Sequence, residues 1–266
     1  MTAKRAFENA PIFPGERAGY GNISRDIKAW GKVCLPGRQA KALFKARLNR
    51  FAALVDLNGQ DVRAHVPNSG RLAELLLPGT PVFLTPRPGG HRKTAFDLSF
   101  APIPGEEGWV CIDSRVPNLL LGETLASYQE DNPLFRGCTL LRREPALGES
   151  RLDFLLDSPE GPLYVEVKCV TLVTSGKRAR FPDAPTDRGR RHLEELTRLT
   201  LQGGRGGVLF LVQRPDAAAF SPHDAMDPLF GKALRRAEEA GVRLKAWKCL
   251  VEPGEVFLYK EIPVLL

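Results

Sequence analysis

The stretch SRLDFLLDSPEGPLYVEVKCVTLV (150–173) decides how this chain folds and what chemistry it carries. Two apolar runs, 150–157 and 163–173, flank the turn-rich Ser158-Pro159-Glu160-Gly161-Pro162. Read as strands, they send alternate side chains to opposite faces. Leu163, Val165, Val167 and Cys169 then share one face, and Tyr164, Glu166 and Lys168 share the other. Burying an unpaired charge is costly, so Glu and Lys within a run of Val and Leu need a reason to be there. A short antiparallel hairpin returns Asp153 to a point across from 166–168. Two carboxylates and one ammonium then meet at one place on a sheet. Hard cations such as Mg²⁺ or Mn²⁺ take oxygen ligands of this kind, commonly one or two carboxylates plus substrate phosphate. Lys168 is then free to hold a phosphate oxygen or the attacking water. The competing arrangement is a cross-strand Asp153–Lys168 pair with Glu166 in solvent. The apolar flanks are poorly suited to such a wet face.

The spacing Asp-(twelve residues)-Glu-Val-Lys resembles the D…(D/E)xK pattern of restriction-endonuclease-like nucleases. The surrounding chain fits that class. Residues 106–266 alternate strand-like and helix-like segments, an α/β arrangement. Helices are expected over 118–128, 187–201 and 229–240. Strands are expected at 109–113, 138–145, 150–157, 163–173, 208–212, 242–251 and 255–260. VLFLV (208–212) is apolar throughout, as a strand covered on both faces must be.

Residues 35–105 read differently. Strand-like runs at 42–48, 50–57 and 60–66 surround Asn58-Gly59, a strong hairpin turn. A short helical turn, RLAELLL (71–77), precedes two further strands at 80–87 and 93–103. Five short strands with one small helix predict an OB-like barrel, a fold that binds nucleic acid through basic and aromatic side chains. Residues 1–34 mix Gly, Pro and charge without periodicity and read as a poorly ordered extension.

Charge supports this division. The chain carries a net charge of +7. Residues 35–105 hold ten Lys/Arg against four Asp/Glu, whereas residues 106–266 hold 22 against 24. A basic module beside a near-neutral one points to a polyanion held by the first and worked on by the second. Candidate contacts are Arg47, Arg50, Arg63, Arg71, Arg92 and Lys93 in the barrel, with Phe51 beside them. The basic segment KRARFPDAPTDRGRR (177–191) follows the Glu-Val-Lys strand and ends at a helix start, where phosphate binds well. It adds Arg180, Arg188 and Arg191. The five cysteines are far apart with no CxxC spacing, which argues against a zinc site or a disulfide framework and fits a reducing, cytoplasmic setting. No segment reads as membrane-spanning or as the apolar core of a secretion signal. His65 and His192 read as hydrogen-bonded structural residues. GGRGG (203–207) precedes a strand, so it is not a phosphate cradle. Nothing in the sequence fixes the oligomeric state.

AHVPNSGRLAELL (64–76), RKTAFDL (92–98), SRLDFLL (150–156), YVEVKCVTLV (164–173), ARFPDAPTDRGRRHLEEL (179–196) and FSPHDAMDP (220–228) resemble the sugar fermentation stimulation protein A family. The resemblance runs from about residue 35 to the end. It implies an N-terminal OB-like domain, a C-terminal restriction-endonuclease-like domain, non-specific DNA binding and a regulatory role in sugar (maltose) metabolism. The family's metal-site pattern falls on Asp153, Glu166 and Lys168. Glu123, from the preceding helix, is the further acid that such folds often add to the metal shell. Whether the chain cuts DNA or only binds it stays open at this level, and RNA is a further alternative substrate.

Overall fold

The computed structural model describes residues 29–87, 93–127 and 132–266. The first strand, β1 (Lys32–Cys34), belongs to the C-terminal domain and is met again below. The N-terminal barrel is built from β2 (Ala40–Asn49), β3 (Ala52–Leu57), β4 (Gln60–His65), β5 (Pro81–Pro86) and β6 (Phe96–Pro102). Asn58 and Gly59 both adopt left-handed backbone, with φ of 56° and 79°. Two such residues make the hairpin turn whose twist matches the flanking strands, and Leu57 accordingly pairs with Gln60. β2 pairs with both β3 and β5, β5 pairs with β6, and a parallel bridge between His65 and Asp97 joins β4 to β6 and closes the barrel. Alternation fills it: Ala42 and Phe44 point inward from β2 while Lys41, Leu43 and Lys45 are exposed.

A further strand, β7 (Trp109–Cys111), pairs with β6, so it extends the barrel's sheet. The sequence pattern places it instead in the C-terminal domain. Three residues are too few for their own pattern to say which sheet they join.

The C-terminal domain contains α1 (Val116–Ser127), β8 (Thr139–Arg143), β9 (Ala146–Leu147), β10 (Ser150–Arg151), β11 (Phe154–Ser158), β12 (Gly161–Val170), β13 (Leu172–Thr174) and β14 (Arg178–Phe181). These are followed by α2 (Asp187–Leu201), β15 (Gly206–Val212), β16 (Ala219–Pro222), α3 (Pro228–Glu239), β17 (Arg243–Glu252) and β18 (Glu255–Ile262). Among the described residues its main sheet runs β1-β18-β17-β15-β12-β11-β8. β12, β15 and β17 are parallel, and their neighbours outward are antiparallel. β15 is buried along its whole length, as expected for a parallel strand covered on both faces.

β1 corrects a second expectation. Residues 32–34 were read as part of a poorly ordered extension, yet they form the edge strand against β18. Residues 1–28 of that extension lie outside the described residues, as does Tyr128 at the expected end of α1.

The sheet separates two cores. On one face Val165, Val167, Leu209 and Leu211 pack with Leu120, Leu121 and Leu125 of α1 and with Phe100 of the barrel. On the other, Val208, Phe210 and Val212 pack with Leu193 and Leu196 of α2 and with Phe230 and Leu234 of α3. At Thr171 the long apolar run breaks, and β13 leaves the main sheet to pair with β14 in a small sheet. No helix among the described residues is long and apolar enough to cross a membrane.

Candidate metal centre

The hairpin register places the acids. Phe154 pairs with Val165 and Leu155 with Tyr164, so the next position outward sets Asp153 against Glu166. The ladder stops at Phe154, and the Val167 N–H beyond it donates to Asp153 Oδ2 at 2.8 Å. Asn118 Nδ2, from the first turn of α1, donates to Asp153 Oδ1 at 2.8 Å.

Glu166 and Lys168 are both buried, on the face that meets α2. Glu166 Oε1 accepts from Lys168 Nζ at 2.5 Å and from His192 Nδ1 at 2.6 Å. Arg188, one turn earlier on α2, points Nε at His192 Nε2 at 3.4 Å. An arginine side chain has no acceptor, so Nε2 must accept and Nδ1 must carry the proton given to Glu166. The other oxygen, Glu166 Oε2, is buried and has no hydrogen-bond partner. The solvent-exposed Glu166 of the competing arrangement is therefore not found, and Lys168 pairs with Glu166.

These surroundings drive the two acids apart. Burial, and then the charge of Glu166, push Asp153 up to about 6 against the opposing pull of the Val167 N–H, Asn118 and Lys168. Burial would also raise Glu166, but Lys168 and His192 outweigh it and hold that carboxyl well below its ordinary range. A stably ionised Glu166 with one unclaimed oxygen, beside Asp153, is a donor set that suits a hard divalent cation.

Glu123 does not join this set. Its side chain is exposed and accepts from Ser127 Oγ at 3.0 Å. Five residues separate it from Asn118, which turns it about 140° around the helix axis, away from the hairpin. Among the described residues no three His, Cys, Asp or Glu side chains converge as a metal cluster. Asn118 and His192 are the site residues that sequence reasoning missed or set aside. His192 falls on the buried stripe of α2 with Leu193 and Leu196, where a histidine needs a polar partner.

The basic candidates separate. Arg47 is engaged throughout: its guanidinium donates to the carbonyls of Asn49, Arg50, Asn68, Gly70 and Arg71 at 2.5–3.3 Å. It clamps the 68–71 loop with most of its donors committed to backbone carbonyls, which favours a structural role over the nucleic-acid contact expected from the sequence. Arg50, Arg63, Arg71 and Lys93 are exposed on the barrel. Arg50 also lies over the exposed ring of Phe51, 5.6 Å from its centroid. Arg92 lies outside the described residues. Arg180 donates to the Pro222 carbonyl at 3.0 Å, while Arg188 and Arg191 are exposed on α2. Arg50 and Arg180 line one cleft of about 140 Å³ between the two domains. Asp183 closes its floor, accepting from the Leu72 N–H at 3.3 Å.

A family model described as "SfsA N-terminal OB domain" matches residues 46–112. One described as "Sugar fermentation stimulation protein RE domain" matches residues 115–255. A sugar fermentation stimulation protein homolog from Natranaerobius thermophilus is 46% identical over 224 residues, covering 83% of this chain and 92% of that protein. Another, from Acetivibrio thermocellus, is 45% identical over 235 residues, covering 87% of this chain and 99% of that protein. The solved structure of Pyrococcus furiosus SfsA in complex with Ca²⁺ superposes with a TM-score of 0.80 at 33% identity, covering 88% of this chain and 99% of that one. The OB barrel and the restriction-endonuclease-like domain expected from the sequence are both present.

Proposed function

The chain belongs to the sugar fermentation stimulation protein family, and from that premise we propose that it binds DNA without sequence preference and cleaves the backbone with a hard divalent cation. The observation that carries this reading is Asp153, one position beyond the Phe154–Val165 pair, beside a buried Glu166 whose Oε2 has no partner. A relative solved in complex with Ca²⁺ supports it, because Ca²⁺ takes the same hard oxygen ligands. When bound, Mg²⁺ or Mn²⁺ would neutralise charge on the scissile phosphate and acidify a water. Asp153 and Glu166 are the side chains that hold it. Lys168 meets the charge that develops on the phosphate oxygens. Arg50, Arg63, Arg71, Lys93, Arg180, Arg188 and Arg191 attract the polymer and align it. Five free cysteines fit a cytoplasmic setting, and regulation of sugar metabolism is the role the family resemblance implies.

The test compares the unaltered protein with Asp153→Ala and Lys168→Ala on DNA with Mg²⁺ or Mn²⁺. Both variants should release product at least ~10-fold more slowly, the scale of losing one group that acts on the transition state. Equal product from all three refutes cleavage by this site.

A second reading, DNA binding without cleavage, is favoured by the closed Glu166–Lys168 pair and the outward-facing Glu123. On that reading no cation-dependent product forms, and Asp153→Ala leaves affinity unchanged. Competition among single-stranded DNA, duplex DNA and RNA separates the possible polymers.

A further inference from the structure

Glu166 is held by two donors of different origin. Lys168 belongs to the same strand, two residues on, whereas His192 reaches across from α2. In the chemistry proposed above Lys168 must turn toward a phosphate. Glu166 then loses one of its two donors, and a buried carboxylate with a single flexible neighbour would rotate. The imidazole cannot follow a phosphate. It is buried, carried by a packed helix, and its Nδ1 lies 2.6 Å from Oε1. Arg188, which makes no ion pair among the described residues, donates from Nε to Nε2 and keeps its terminal Nη groups for the polymer.

We propose that His192 is a positioning residue that locks Glu166 with Oε2 presented to the cation, and that Arg188 sets the imidazole tautomer that makes this possible. Partners behind a ligating group fix its orientation, and losing one typically weakens metal affinity 10–100-fold. The inference rests on the cation-binding reading of Asp153 and Glu166. It goes beyond that reading by assigning the orientation of Glu166 to α2 and not to its own strand.

Calorimetric titration of the full chain with Ca²⁺ tests it without reference to activity. His192→Leu removes the donor and should weaken Ca²⁺ binding by at least ~10-fold. His192→Asn places an amide N–H where Nδ1 sits and should stay within about 3-fold of the unaltered protein. Arg188→Ala should lose about 3-fold, less than His192→Leu because the imidazole itself remains. Thermal melting establishes that each variant is folded. Undiminished affinity in His192→Leu overturns the proposal, as does an equal loss in His192→Leu and His192→Asn. If His192→Leu does not fold, an Arg188→Ala variant that binds Ca²⁺ as tightly as the parent overturns it instead. Failure of the underlying reading looks different. There the unaltered chain takes up no Ca²⁺, or Glu166→Ala takes up as much as the parent, and the assignment of His192 falls with it.

Discussion

Asp153 sits in a place that opposes its charge. Its carboxyl is raised from an ordinary 3.8 to about 6, first by burial and then by Glu166. Between about pH 4 and 6 the folded state therefore holds a proton that the unfolded chain has released. More protons bound when folded means that stability falls as pH rises through this window. Above it the ionised carboxyl is a standing cost to the fold. Asp153→Asn removes that cost, and its amide oxygen still accepts from the Val167 N–H while Asn118 turns its own amide to match. The variant should be more stable than the parent by roughly 1–3 kcal/mol at pH 7–8 in chelator, with the gap closing toward pH 4. Thermal melts across that range check it, and a parent that is the more stable of the two at pH 8 contradicts it. That Asp153, Glu166 and Lys168 share one face of the hairpin was legible in the sequence from strand alternation, whereas which of the acids Lys168 pairs with was not. His192 was not legible as a site residue, because its contact depends on how α2 lies across β12, which no local pattern encodes.

At the scale of elements, the helix over the site is fixed by its start. Thr186 caps α2, accepting from the Gly189 N–H at 3.0 Å. Asp227 caps α3 through Oδ1, accepting from the Phe230 N–H at 2.9 Å, and its Oδ2 accepts from the Thr186 N–H at 2.9 Å. One buried carboxylate thus satisfies the N-terminal ends of both helices. Asp227→Ala should cost about 2 kcal/mol or somewhat more, the upper range for a single lost cap with a second orphaned donor added. It should also loosen His192 against Glu166, since α2 carries the imidazole. Denaturant unfolding measures the first effect, and a loss below about 0.5 kcal/mol refutes the double cap. The start of α2 at residue 187 was readable in advance, because capping chemistry is local. The rotation of α1 was not readable. Its leucines mark the core stripe but do not say whether Asn118 or Glu123 faces the hairpin, since both flank that stripe. The three-residue strands β1 and β7 escaped for a related reason: each is too short to have a period of its own and owes its place to the neighbour it pairs with.

For the whole molecule the question is how a basic barrel serves a site on another domain. The barrel packs on the α1 face of the C-terminal sheet through Phe100 and Cys111, and the 68–71 loop meets Asp183 across the boundary. A Cβ at Gly70 would meet the Asp183 carboxylate, so a side chain there would push Asp183 from its place against the loop. Arg47 holds the same loop from the barrel side with most of its donors, whereas Arg50, three residues later, faces the cleft with most of its guanidinium free. The two arginines should therefore separate in experiment. Each phosphate neutralised releases counterions, so the logarithm of affinity falls with the logarithm of salt by about 0.9 per contact. Arg50→Ala should lower that slope by about 1 while leaving the melting temperature nearly unchanged. Arg47→Ala should lower stability by about 2–3 kcal/mol, because several carbonyls of the loop lose their donor, and should leave the slope where it was. Oligonucleotide titrations between low and physiological salt, run beside thermal melts, read both effects. A slope that drops equally in the two variants would make Arg47 a phosphate contact after all. A binding constant indifferent to salt would remove the polyanion from the account of this molecule.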